Sequence, residues 1–147
     1  MEKKKLLISA CLLGIPCRYD GKAKQPIAEL DRLSELYELI PVCPEIYGGL
    51  PTPRTPSERV GDKVIMKDGT DVTENYNRGA NATVSIAKAL GATHALLKQR
   101  SPSCGTKEIY DGTFSSVTVK GMGTAAQKLS ESDIRLFSEN EIDELLK

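Results

Sequence analysis

Three short segments of this chain each set a cysteine among residues that can bind a metal or move a proton. They are Ser9-Ala10-Cys11, Cys43-Pro44-Glu45 and Ser101-Pro102-Ser103-Cys104-Gly105. A fourth cysteine, Cys17, follows Cys11 across a turn that contains Pro16. Thiolates are soft donors that select soft metals. Cys11, Cys43 and Cys104 can therefore build one metal centre if the fold brings them together. No Cys-x-x-Cys pair occurs, which argues against a zinc ribbon and against thioredoxin-like redox chemistry. The one histidine, His94, lies inside an apolar run, which argues against a Cys/His finger or a His-rich catalytic zinc site. Three thiolates from three loops suit a [4Fe–4S] cluster. A cluster held by only three cysteines leaves one iron without a protein ligand, open to act as a Lewis acid.

The plainer alternative for each cysteine is a small buried hydrophobe. Spacing alone leaves that reading open, and with it a non-catalytic zinc- or thiol-rich binding module. Cys17 reads as a neighbour of the site rather than a ligand. Glu45 and Ser101 stand beside two of the cysteines, and a carboxylate and a hydroxyl so placed can hold, relay and return a proton. Solvation and turn capping are their ordinary uses. Arg18, Arg54 and Arg100 flank the cysteine segments and could neutralise an anionic centre or grip a phosphate. Tyr19, Tyr47 and Tyr110 could stack on a heterocycle. Gly121-Met122-Gly123 is a weak phosphate-loop signal without its third glycine.

The elements that must position these residues alternate. Lys5 to Ala10 is apolar without alternation, as in a strand buried on both faces, and Cys11 falls at its end. A helix is expected from Pro26, with Ile27, Leu30 and Leu33 on one face. Leu39 to Cys43 reads as a second strand. Residues 44–62, with prolines 44, 51, 53 and 56, are expected to hold no regular helix or central strand. Lys63 to Lys67 reads as an edge strand followed by a hairpin-type turn at Asp68-Gly69. Asp71 to Glu74 has the spacing of a capping box, opening a helix that stops at Gly91. His94 to Lys98, a loop from Gln99 to Thr106 holding Cys104, a turn at Asp111-Gly112, a helix from Gly121 to Leu129, a strand from Asp133 to Phe137 and a capping box at Ser138 to Glu141 complete the pattern. The alternation implies an α/β, Rossmann-like three-layer fold with a mostly parallel central sheet. In such sheets ligands bind beyond the carboxyl ends of the strands, which is where all three cysteines fall.

Twenty basic and twenty acidic residues give zero net charge, so no global field attracts nucleic acid or anionic lipid. The chain reads as one domain, 1–147, with no run long enough to span a membrane. Met1 to Gly14 lacks the cleavage site of a secretory leader. The cytoplasm is the expected compartment, where thiols stay reduced.

Together these segments carry a family resemblance. Ser-Ala-Cys-Leu-Leu-Gly (9–14) with Arg-Tyr-Asp-Gly (18–21), Cys-Pro-Glu (43–45) with Gly-Gly-Leu-Pro-x-Pro-Arg (48–54), and Leu-Lys-x-x-Ser-Pro-Ser-Cys-Gly (97–105) resemble the thiouracil desulfidase family over nearly the whole chain. The resemblance implies an oxygen-sensitive [4Fe–4S] cluster ligated by Cys11, Cys43 and Cys104, with one iron open. It implies a non-redox reaction in which the sulfur of a thiolated pyrimidine is replaced by oxygen from water and lost as hydrogen sulfide. It assigns the acid/base pair to Glu45 and Ser101, and it implies a small-molecule thiopyrimidine substrate, whether base, nucleoside or nucleotide.

Overall fold

The computed structural model describes residues 2–147. Four strands form the central sheet: β1 (Lys4–Ser9), β2 (Tyr37–Val42), β5 (His94–Leu97) and β8 (Arg135–Ser138). Their order is β2-β1-β5-β8 and every pairing is parallel, with Leu6 opposite Leu39 on one side and His94 on the other. The chain leaves β1 towards β2 and later returns to β1's other side as β5, which opens a crevice at the carboxyl ends of β1 and β5.

The unalternated apolar runs are explained by layers on both faces. Leu7, Ala95 and Leu97 pack on one face with Ala87 of α3 (Thr73–Leu90) and Ala126 and Leu129 of α4 (Thr124–Glu131). Leu6, Ile8 and Leu96 pack on the other with Leu33 of α1 (Leu30–Leu36) and Ile142 and Leu145 of α5 (Ile142–Leu145). Each leucine or isoleucine among them, fully buried, contributes about 1.5–3 kcal/mol. This is the expected three-layer α/β architecture.

Several local expectations need correction. Residues 44–62 do hold a helical turn, α2 (Pro44–Tyr47), because Pro44 sits at the first helical position, where its missing N–H costs nothing. As expected they hold no central strand: β3 (Ser57–Val60) begins just past the last proline and pairs antiparallel with β4 (Lys63–Met66) in a hairpin outside the central sheet. The helix expected from Pro26 starts only at Leu30, since the Ile27 N–H is given to the Leu12 carbonyl at 3.0 Å. Ile27, Leu30 and Leu33 still share one apolar cluster. The capping box at Asp71 does not form. Asp71 bridges Ile65, and its carboxylate accepts from Thr73 N at 2.9 Å. The box at Ser138 and Glu141 is present. A second hairpin, β6 (Glu108–Tyr110) with β7 (Thr118–Lys120), adds to the elements expected from the sequence. Among the described residues no helix is long and apolar enough to cross a membrane.

Candidate active site

Each cysteine stands where a central strand ends. Cys11 lies in a 3-10 turn (Ala10–Leu13) directly after β1, Cys43 caps α2 directly after β2, and Cys104 lies in the loop after β5. All three line one cavity of about 520 Å³, together with Cys17, Glu45, Ser101 and Ser103. The loop that carries Cys104 is held by three devices. The Gln99 side-chain oxygen accepts from three successive backbone N–H groups, Thr106 and Lys107 at 3.2 Å and Glu108 at 3.1 Å. Ser101 Oγ accepts from Ser103 N at 3.2 Å and Cys104 N at 3.0 Å. The N-terminus of α4 grips the Ser103 carbonyl through Ala125 N at 3.0 Å and Ala126 N at 3.1 Å. That grip requires Gly123, where a Cβ would lie 2.7 Å from Cys104 N.

Gln99 is buried, so its loss has a measurable cost. Gln99→Ala strips three N–H groups of their partner and should destabilise the protein by about 1–3 kcal/mol in urea unfolding. Gln99→Glu keeps an acceptor oxygen and should recover most of that loss. Equal stability of Gln99→Ala and wild type would remove the residue from the loop's support.

Arg54 ties the second and first cysteine segments together. Its Nε and Nη2 each lie 3.1 Å from Glu45 Oε1, and Nη2 also donates to the Cys17 carbonyl at 2.9 Å. Only 4% of the Arg54 side chain is exposed, so this is a buried ion pair rather than a surface one. The Cys43 thiol also reaches the Cys17 carbonyl, at 3.9 Å. Interaction between the two neighbouring thiols lowers the Cys43 thiol to about 7 and, with burial, raises Cys17. Burial pushes Cys11 up to about 11 and Cys104 up to about 12. Ser9 Oγ accepts from Lys98 N at 3.0 Å, which gives the serine of Ser-Ala-Cys a structural use. Arg18, Lys24, Lys67, Lys98 and Arg100 add positive charge to the cavity lining, which suits an anionic occupant such as a thiolate-held cluster.

The structure thus gathers all five residues singled out from the sequence: Cys11, Cys43, Cys104, Glu45 and Ser101. Cys17, expected as a mere neighbour, contacts Cys43. Tyr19 and Tyr110 line the cavity, whereas Tyr47 lies outside the lining. His94 is buried in β5, between Tyr37 and Phe137. Gly121-Met122-Gly123 packs α4 against the cysteine loop, and the Gly121 and Gly123 N–H groups donate to the Lys107 and Gly105 carbonyls. Sequence reasoning missed Ser103, whose hydroxyl donates to Glu45 Oε2 at 2.9 Å and lies 3.1 Å from Ser101 Oγ. Its only sequence signal was its place beside Cys104.

The donor set fits an iron–sulfur cluster. All four cysteines are free thiols. Among the described residues no three Cys, His, Asp or Glu side chains converge as ligands of a single ion. A four-iron cluster instead offers a separate iron to each thiolate. A buried thiol such as Cys104 gives up its proton readily only to a cationic partner.

The family model described as 2-thiouracil desulfurase matches residues 6–141. The chain belongs to the 2-thiouracil desulfurase family. An uncharacterised relative, YbbK of Bacillus subtilis (strain 168), is 38% identical over 151 residues, covering 96% of this chain and 99% of its own. The solved structure of the [4Fe-4S]-dependent thiouracil desulfidase TudS superposes with a TM-score of 0.92 at 44% identity, over 97% of this chain and 95% of that one. This desulfurase-family chain is therefore an enzyme whose α/β fold is shared with TudS.

Proposed function

We propose that this enzyme replaces the sulfur of a thiolated pyrimidine (2- or 4-thiouracil, or a 4-thiouridine derivative) with oxygen from water, releasing sulfide. The substrate carbon exchanges a C=S for a C=O bond while water becomes hydrogen sulfide, so no electrons are gained or lost. The observation that carries the reading is the convergence of three strand-end thiols with a carboxylate and a serine in one cavity. Cys11, Cys43 and Cys104 would hold a [4Fe–4S] cluster with one iron free of protein ligands. When bound, that cluster supplies a thiophilic Lewis acid for the thiocarbonyl sulfur.

The rest of the chemistry belongs to the side chains. Arg54 fixes the Glu45 carboxylate through Oε1 and leaves Oε2 towards Ser103. Glu45 takes a proton as water attacks and returns it to the departing sulfur. Ser101 lines the cavity, and its Oγ orients the water. The free thiols suit a reducing compartment, and in this reading the enzyme works in the cytoplasm on a small molecule rather than on nucleic acid.

The test is anaerobic reconstitution followed by incubation with 2-thiouracil, 4-thiouracil and 4-thiouridine. Thione absorbance should fall in step with sulfide release. Alanine at Cys11, Cys43 or Cys104 should abolish both and lower bound iron, whereas Cys17→Ala should keep the iron. A fully loaded enzyme that leaves all three compounds intact would sink the activity.

A further inference from the structure

Ser103 is hydrogen-bonded to both Glu45 and Ser101. Its Oγ lies 2.9 Å from Glu45 Oε2 and 3.1 Å from Ser101 Oγ. The direction of each hydrogen bond follows from counting. A hydroxyl has one proton and two lone pairs. Ser101 Oγ already accepts from two backbone N–H groups, at 3.2 Å from Ser103 N and 3.0 Å from Cys104 N. Both lone pairs are taken, so towards Ser103 it can only donate. Glu45 is ion-paired to Arg54 and accepts only, so the single Ser103 proton goes to Oε2. Cys104 Sγ, at 3.7 Å, is the weaker competitor for it. The protons therefore all point one way, from Ser101 through Ser103 to Glu45.

We infer that Ser103 is the positioning residue that couples Glu45 and Ser101 into a single proton relay. The inference rests on the desulfidase reading above for its chemical use. Ser103 is 2% exposed, so a substrate in the cavity meets Ser101 rather than Ser103. In the forward step the Ser101 O–H bond breaks as a new Ser103 O–H bond forms. The original Ser103 proton passes to Glu45 Oε2. Negative charge moves from the carboxylate to Ser101 Oγ, which takes a proton from the attacking water as the water's O–H bond breaks, and no electron enters or leaves. The two backbone N–H groups that cap Ser101 are already aimed at the oxygen where this charge develops, as in an oxyanion hole. The longer of them, from Ser103 N, is the one that yields when water docks on Ser101 Oγ. In the return step Ser101 gives that proton to the departing sulfur and is reprotonated from Glu45 through Ser103, which restores the carboxylate.

The experiment compares Ser103→Thr with Ser103→Val in anaerobically reconstituted enzyme. The two residues have nearly the same shape, so they share any steric load and differ in the hydroxyl. Both should match the wild type in iron and sulfide content. With 4-thiouracil, KM should stay within about twofold for both, while kcat should stay within about threefold for Ser103→Thr and fall about 10²-fold for Ser103→Val. In mixed light and heavy water, kcat of the wild type and Ser103→Thr should show more than one proton in flight, and that signature should vanish in Ser103→Val. Ser103→Val turning over as fast as Ser103→Thr would overturn the relay. Neutron diffraction of the deuterated wild type tests the proton order without depending on activity or on either variant folding. A deuteron on Ser101 Oγ aimed at Ser103, with another on Ser103 aimed at Glu45, supports the relay, and the opposite orientation overturns it. A wild type that desulfurates and needs Glu45 but tolerates Ser103→Val defeats the relay alone. A loaded wild type that leaves thiopyrimidines intact defeats the desulfidase reading, with the neutron result still judging the proton order.

Discussion

Glu45→Gln should lower kcat by about 10²–10⁴-fold, the range expected for loss of a positioned proton acceptor, while bound iron and sulfide stay at wild-type levels. The substitution is close to isosteric. The amide oxygen can still accept from Arg54 or from Ser103, so the cavity keeps its shape. What it cannot do is take up a proton as water attacks. Some stability is lost as well, because Arg54 is buried and loses its counter-charge. Removing one partner of a buried pair typically costs about 3–5 kcal/mol. Here the cost should be smaller, since the guanidinium keeps Pro51 O at 3.2 Å, Thr52 Oγ1 at 3.0 Å and Cys17 O at 2.9 Å. Steady-state rates with 4-thiouracil, beside iron and sulfide analysis of the same preparation, separate the two effects. A wild-type rate in a fully loaded Glu45→Gln enzyme would remove Glu45 from the proton path. Loss of iron would instead make Glu45 a structural support of the cluster site.

The framework of this site was legible because burial leaves a strong mark on sequence. Leu6 to Ile8 and Ala95 to Leu97 are apolar without alternation, which only a strand covered on both faces requires. Once those strands were parallel, the residues at their carboxyl ends had to share an edge. That step brought Cys11, Cys43 and Cys104 together without any motif linking them. The coupling between side chains was not legible in the same way. Nothing at Ser103 distinguishes it from Ser101 until the backbone turn shows one hydroxyl accepting from two N–H groups and the other facing Glu45. Cys17 reaches Cys43 partly because Arg54, far along the chain, holds its carbonyl, and no local pattern records that. The β6–β7 hairpin escaped because its strands are short and β7 is mostly exposed, leaving only a weak periodic signal.

Gly79→Ala should empty the site without altering any residue that faces it. Gly79 lies in α3, where alanine is the better helix former by about 1 kcal/mol, so propensity alone favours the change. Packing opposes it more strongly. A Cβ at Gly79 would fall on the Pro44 carbonyl oxygen, 2.8 Å from its carbon and 3.2 Å from Gly48 N. Across the same crossing Gly48 presses on the backbone of Asn75, whose side chain donates to Gly48 O at 2.9 Å. The contact is backbone against backbone, so no side chain can swing aside. Helix α2 must retreat from α3, and it carries Cys43 at its cap and Glu45 in its first turn. Overpacking of this kind costs about 1–3 kcal/mol. More important for function, the retreat moves Cys43 away from Cys11 and Cys104 and pulls Glu45 from Ser103. Gly79→Ala should therefore unfold at lower urea, bind less iron after reconstitution and lose desulfuration. Asn77→Ala is the matched control, exposed on the same helix, with a gain in propensity of the same sign and no such contact. It should equal or exceed the wild type in stability and keep its iron. A Gly79→Ala protein as stable and as fully loaded as Asn77→Ala would show that the close approach of α2 to α3 does not set the position of Cys43.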